Sequence, residues 1–62
     1  MKKNPTVNSI VVVTNDPDAA KWEVVETQSK SRNVGIIPVE RDITKPARIQ
    51  YIDRSILSYA AA

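Results

Sequence analysis

Two short apolar runs interrupt an otherwise mixed chain. Ile10-Val11-Val12-Val13 is β-branched throughout, and Val34-Gly35-Ile36-Ile37-Pro38-Val39 is nearly so. Continuous apolar runs of this length, bounded by polar residues, suit strands covered on both faces better than strands with one face in water. They predict a central strand over residues 7–14 and a second strand over 34–40. Pro38 has no N–H to give to a ladder, so the second strand is expected to lie at an edge or to bulge there.

The other two stretches carry helical signals. Asn15 or Asp16 can cap, Pro17 has its φ preset, Asp18 suits the positive end of a helix, and Lys30, Arg32 and Asn33 are stop signals. They predict a helix over 16–32 with a thin apolar side of Ala19, Trp22 and Val25. Thr44-Lys45-Pro46 repeats the start signal. At about 100° per residue, Ile49, Ile52, Ile56, Tyr59 and Ala60 fall on one stripe with Leu57 at its margin, which predicts a helix over 45–60. The expected fold class is α+β, a small single domain of β-α-β-α order over residues 7–62, preceded by a flexible arm of residues 1–6.

A competing pattern runs through the same residues. Lys21-Trp22-Glu23-Val24-Val25-Glu26-Thr27 is rich in strand formers, and an Asn-Asp-Pro-Asp turn would join it to the first strand as a hairpin. Ala47 to Tyr51 also alternates, until Asp53 and Ser55 land on the apolar side. Followed through, this alternative is a small antiparallel β-sheet or barrel. The capping signals tip the expectation to helices, with one reservation built into the physics. Two strands and two helices bury themselves poorly, so either a further strand is hidden among the helices or a partner supplies one.

Composition narrows the chemistry. The chain has 62 residues with no cysteine, no histidine, no phenylalanine and one glycine. Without His and Cys, the Ser-His-Asp triad, the Cys-His pair and all Cys/His zinc sites are excluded. A single glycine excludes the dinucleotide and phosphate-loop fingerprints, which need at least two. A domain of this size also rarely encloses the ~300 Å³ of a small-molecule pocket. No enzyme activity, cofactor or metal is expected. The absence of a disulfide framework favours a reducing compartment. The apolar run behind Lys2-Lys3 is shorter than the about 7–15 residues of a signal, and nothing approaches the ~20 of a membrane span. The expectation is a cytoplasmic protein with no membrane contact.

Nine Lys and Arg against seven Asp and Glu leave a net charge of +2, and the excess lies in the second half, mostly as arginine. Arginine is suited to bidentate contact with phosphate or carboxylate. Lys30, Arg32, Arg41, Lys45, Arg48 and Arg54, with Tyr51 beside Arg48, are the candidate nucleic-acid contacts, and Lys2 and Lys3 would add attraction. Asp16 and Asp18 suit a helix cap better than Mg²⁺ ligands, and Glu40 and Asp42 read as solvated charges. Trp22 is expected in the core.

Small size and amphipathicity together favour a non-enzymatic protein-interaction module with a regulatory or assembly role, self-associating as a homo-oligomer. Its face would be Ile49, Ile52, Ile56 and Tyr59 with the Pro38 strand edge. The alternatives are a small nucleic-acid-binding protein using the Arg/Lys face and, third, a structural subunit of a large assembly.

Overall fold

In the computed structural model, which describes residues 2–60, five strands form one antiparallel sheet. They are β1 (Ile10–Val13), β2 (Lys21–Glu26), β3 (Asn33–Pro38), β4 (Gln50–Asp53) and β5 (Leu57–Tyr59), and their spatial order is β4-β3-β2-β1-β5. The only helical turn among the described residues is a 3₁₀ turn, Arg54–Ile56. The expected α+β class is thereby overturned, and neither the helix over 16–32 nor that over 45–60 forms. The molecule is a small β domain.

The first expected helix fails because its start signal is equally a turn signal. A carboxylate that accepts a backbone N–H two residues on serves a helix cap and an Asx turn alike. Asp16 accepts from the N–H of Asp18 at 3.0 Å and of Ala20 at 3.1 Å, while the Ala19 N–H returns to the Asp16 carbonyl at 3.1 Å. The chain then leaves through Ala19, whose φ of 49° is left-handed, and enters β2. Trp22, Val24 and Val25 are strand formers, and pairing with β1 and β3 outweighs their weak helical period. Asp42 acts in the same way ahead of the second expected helix. It accepts from Thr44 N–H at 3.0 Å and Thr44 Oγ1 at 2.6 Å, so Asp42 caps a turn where Thr44 was expected to cap a helix.

The stripe of isoleucines at helical spacing arises from a strand, a turn and a second strand in succession. Ile52 faces the core from β4, Ile56 sits in the 3₁₀ turn, and Leu57, marginal on the helical wheel, is a core residue of β5 only 2% exposed. The alternation that fails at Asp53 does so because β4 ends there. Asp53 caps the 3₁₀ turn, accepting the Ser55 N–H at 2.9 Å. That bond, with Arg32 nearby, holds the Asp53 carboxyl below its ordinary range.

This turn also curls the sheet. It joins β4 to β5, the two outermost strands. Flat, strands four places apart would lie ~19 Å from each other, whereas four steps of extended chain reach at most ~14 Å and a 3₁₀ path much less. The sheet therefore bends over a concave face that collects the core. Val11, Val24, Val34, Ile36 and Leu57 form it, with Val13, Trp22 and Ile52 packed against them. Two irregularities help the bend. Asn8, at φ 78°, and Ser9 together oppose Val24, with Asn8 N–H to Val24 O at 2.8 Å and Val24 N–H to Ser9 O at 2.9 Å, and β2 shifts register between Val24 and Glu26.

The N-terminal segment contributes contacts to this fold. Asn4 donates from Nδ2 to the carbonyls of Gln28 and Ser31, both at 2.7 Å, and Pro5 is buried. On the convex face, Gly35 is needed for close approach. A Cβ there would meet Ile49 Cγ2 at 2.9 Å, Glu26 Cβ at 3.0 Å and the Tyr51 ring at 3.2 Å. Gly35→Ala is expected to destabilise the domain by about 1–3 kcal/mol, as overpacking does. Thermal unfolding by circular dichroism should show a midpoint lowered by about 4–8 °C per kcal/mol. An unchanged midpoint would mean that the convex face yields freely.

Candidate functional site

Pro38 is the residue from which the candidate site is best built. Expected at an edge or a bulge, it closes β3, an interior strand. Ladder polarity alternates along a strand, and Ile36 faces its partner Gln50 on β4, so Pro38 turns the same way. Beyond Gln50, β4 has not yet begun, and the missing N–H leaves no bond unmade there. The Pro38 carbonyl is satisfied by Arg41 Nη1 at 2.6 Å. That bond folds the start of the long β3–β4 connection, residues 39–49, back on the strand end.

This connection gathers cations. Arg41, Lys45 and Arg48 surround a depression of about 250 Å³ whose other walls are Pro38, Asp42, Pro46, Ala47 and Gln50. Among the described residues no carboxylate pairs with any of the three. The one acid in the depression, Asp42, is held by the two Thr44 bonds, which lower its pKa and keep it ionised. Three cations therefore face one engaged carboxylate.

Next to the depression, and sharing Pro38 with it, is a cleft of about 430 Å³ lined by Ala20, Lys21, Trp22, Pro38, Val39 and Glu40. Trp22 and Pro38 are cross-strand neighbours. Trp22, expected in the core, packs against it but is only half-buried, and its indole N–H is enclosed. The surface it shows to solvent is therefore carbon. Across the two concavities stand four cations, Lys21, Arg41, Lys45 and Arg48, and two carboxylates, Glu40 and Asp42. Their balance of +2 equals that of the whole chain, so the remaining charges cancel.

The other expected cationic residues lie at the far end of β3. Arg32 pairs with Asp53 at 3.5 Å, and Arg54 donates to Asn4 Oδ1 at 3.2 Å. Lys30 is exposed in the β2–β3 turn. Tyr51 lies on the convex face with its hydroxyl donated to Glu26 Oε2 at 2.9 Å. The structure thus brings together Arg41, Lys45 and Arg48 and separates them from Lys30, Arg32, Arg54 and Tyr51. The expected interaction stripe is distributed too. Ile49 and Tyr59 are exposed at 43% and 60%, Ile52 and Ile56 are half-buried, and Pro38 belongs to the cleft. Gln50 carried no site signal in the sequence, because only the β3–β4 geometry sets it beside Pro38.

Asp16 uses its carboxylate oxygens in the β1–β2 turn, and no group of three acidic residues suited to a metal occurs among the described residues. Nor is any helix among them long and apolar enough to cross a membrane. Compared with protein-family models, curated proteins and solved structures, the chain finds no match.

The Tyr51–Glu26 bond makes a pH prediction. The carboxylate accepts from the neutral phenol, so it raises the Tyr51 pKa above its ordinary 10.0. A group whose folded pKa is raised adds stability that is complete below the unfolded pKa and is lost as pH climbs through the folded one. Absorbance titration should show a tyrosine transition above pH 10 that Tyr51→Phe removes and Glu26→Gln moves down. A transition indifferent to Glu26→Gln would dissociate the shift from this bond.

Proposed function

We propose that this chain is a small, non-enzymatic nucleic-acid-binding domain whose β3–β4 connection grips the phosphate backbone. One observation carries the proposal: the net positive charge of the chain is concentrated around the two concavities that share Pro38, and among the described residues no carboxylate pairs with Arg41, Lys45 or Arg48 there. Arg41 is oriented by its bond to Pro38, which reduces the freedom lost when it meets a phosphate oxygen. The lack of cysteine supports a cytoplasmic setting.

Three backbone contacts give a measurable signature. For a single strand, the logarithm of affinity falls with the logarithm of salt at ~0.7 per neutralised phosphate, so a slope near −2 is expected. Replacing Arg41, Lys45 and Arg48 together by alanine should bring the slope close to zero, and Lys30→Ala should leave it alone. Fluorescence anisotropy with a labelled oligonucleotide at several salt concentrations reads both. No binding at low salt, or a slope indifferent to the triple substitution, removes the proposal.

A separate observation favours self-association as a second activity. Ile10, Ile49 and Tyr51 are exposed, at 37%, 43% and 59%, on the convex face around Gly35 and Ile37. Alternation along β4 also turns the main-chain groups of Tyr51 away from β3, toward the open edge. A second copy pairing there would cover both. Sedimentation equilibrium is expected to show a concentration-dependent dimer that Ile49→Lys weakens at least tenfold. A monomeric mass up to millimolar concentration would refute it.

A further inference from the structure

The cleft beside the cationic connection, lined by polar and apolar groups together, is the largest concavity described at this end of the sheet. Trp22, whose indole N–H is enclosed, and Pro38, its neighbour across the strands, line it together. Val39, 39% exposed, adds apolar surface to the lining, and Lys21 and Glu40 add one donor and one acceptor. A volume of about 430 Å³ lies within the range of small-molecule sites. An indole and a proline ring beside one donor and one acceptor suit a flat ring whose faces are apolar and whose edges form hydrogen bonds.

Charge selects the source of that ring. The adjoining depression carries three cations that pair with no carboxylate among the described residues, so a ligand that spans both concavities is anionic on one side and aromatic on the other. A nucleotide within a strand has that composition. An extended peptide is disfavoured by the main chain, because strand addition needs open backbone groups. Here the Lys21 carbonyl already accepts from Val39 N–H at 3.1 Å, Pro38 has no N–H, and its carbonyl is taken by Arg41. A duplex is disfavoured as well, since its paired bases show only their edges and entry of a face requires extrusion.

We infer that the Trp22–Pro38–Val39 cleft receives one unstacked base of a single strand whose phosphates lie on Arg41, Lys45 and Arg48. This rests on the nucleic-acid reading above and adds to it a preference for single strands. Base stacking on an aromatic platform is the expected source of affinity.

Trp22 is the only tryptophan, so its fluorescence reports the cleft directly. The full chain is titrated at low salt with a twelve-nucleotide oligothymidylate, an abasic strand of the same length, a duplex of equal phosphate content, and polyglutamate. Oligothymidylate is expected to quench Trp22 and to bind about 5- to 100-fold more tightly than the abasic strand or the duplex. Val39→Asp, at an exposed position outside the core cluster, should remove that advantage while circular dichroism remains unchanged. Equal binding of oligothymidylate and abasic strand without quenching would overturn the inference and leave the phosphate contact standing. Failure of every nucleic acid to bind would overturn both. Quenching by polyglutamate at comparable affinity would assign the cleft to an acidic protein and overturn the base site.

Discussion

The short connection between β4 and β5 governs this molecule. Three residues of 3₁₀ turn link the two strands at opposite ends of the sheet order, and the sheet must curl for them to meet. The curl creates a concave side, and with it a core, in a chain too small to build one from stacked layers. Asp53 secures the link by capping the turn while it receives the Arg32 guanidinium, tying the end of β4 to the start of β3. The shell-like core of Val11, Val24, Val34, Ile36 and Leu57 follows from that closure.

The same geometry explains why the proposed binding end is open. At the start of β3 the concave sheet is buttressed by the N-terminal segment, through Asn4 and the carbonyls of Gln28 and Ser31. At its other end β3 stops on a proline, β4 begins only after eleven intervening residues, and that connection arches away, exposed throughout. Trp22 is consequently covered on one side only. A long connection between two paired strands is a natural place for variable chemistry, because it is positioned by a rigid ladder and contributes little to the core.

Charge follows a related division. At the buttressed end, Arg32 and Arg54 have partners within the fold, Asp53 and Asn4. At the open end, the cations have no acidic partner among the described residues, and Asp42 is engaged by Thr44. Formal charge along the chain treats these two sets alike, and only their surroundings distinguish a structural arginine from one available to a ligand.

Local sequence, by itself, determined what depends on neighbouring residues. The apolar runs within 7–14 and 34–40 are strands, Asp16 caps, Pro38 has no N–H for a ladder, and missing side chains exclude thiol, imidazole and Cys/His zinc chemistry. What local sequence left open was whether each cap starts a helix or closes a turn, since the side-chain bond is the same in both. Tertiary structure decided it. Val24 and Ile52 acquire their places from partners across the sheet, Ile36 and Val34, which lie far away in the chain. Strand pairing is non-local, so the spacing of Ile49, Ile52 and Ile56 mimicked a helix where a strand and a turn were assembled. The gathering of Arg41, Lys45 and Arg48 beside Pro38 likewise belongs to the fold, because it required β3 to end, the chain to arch, and β4 to return beside it.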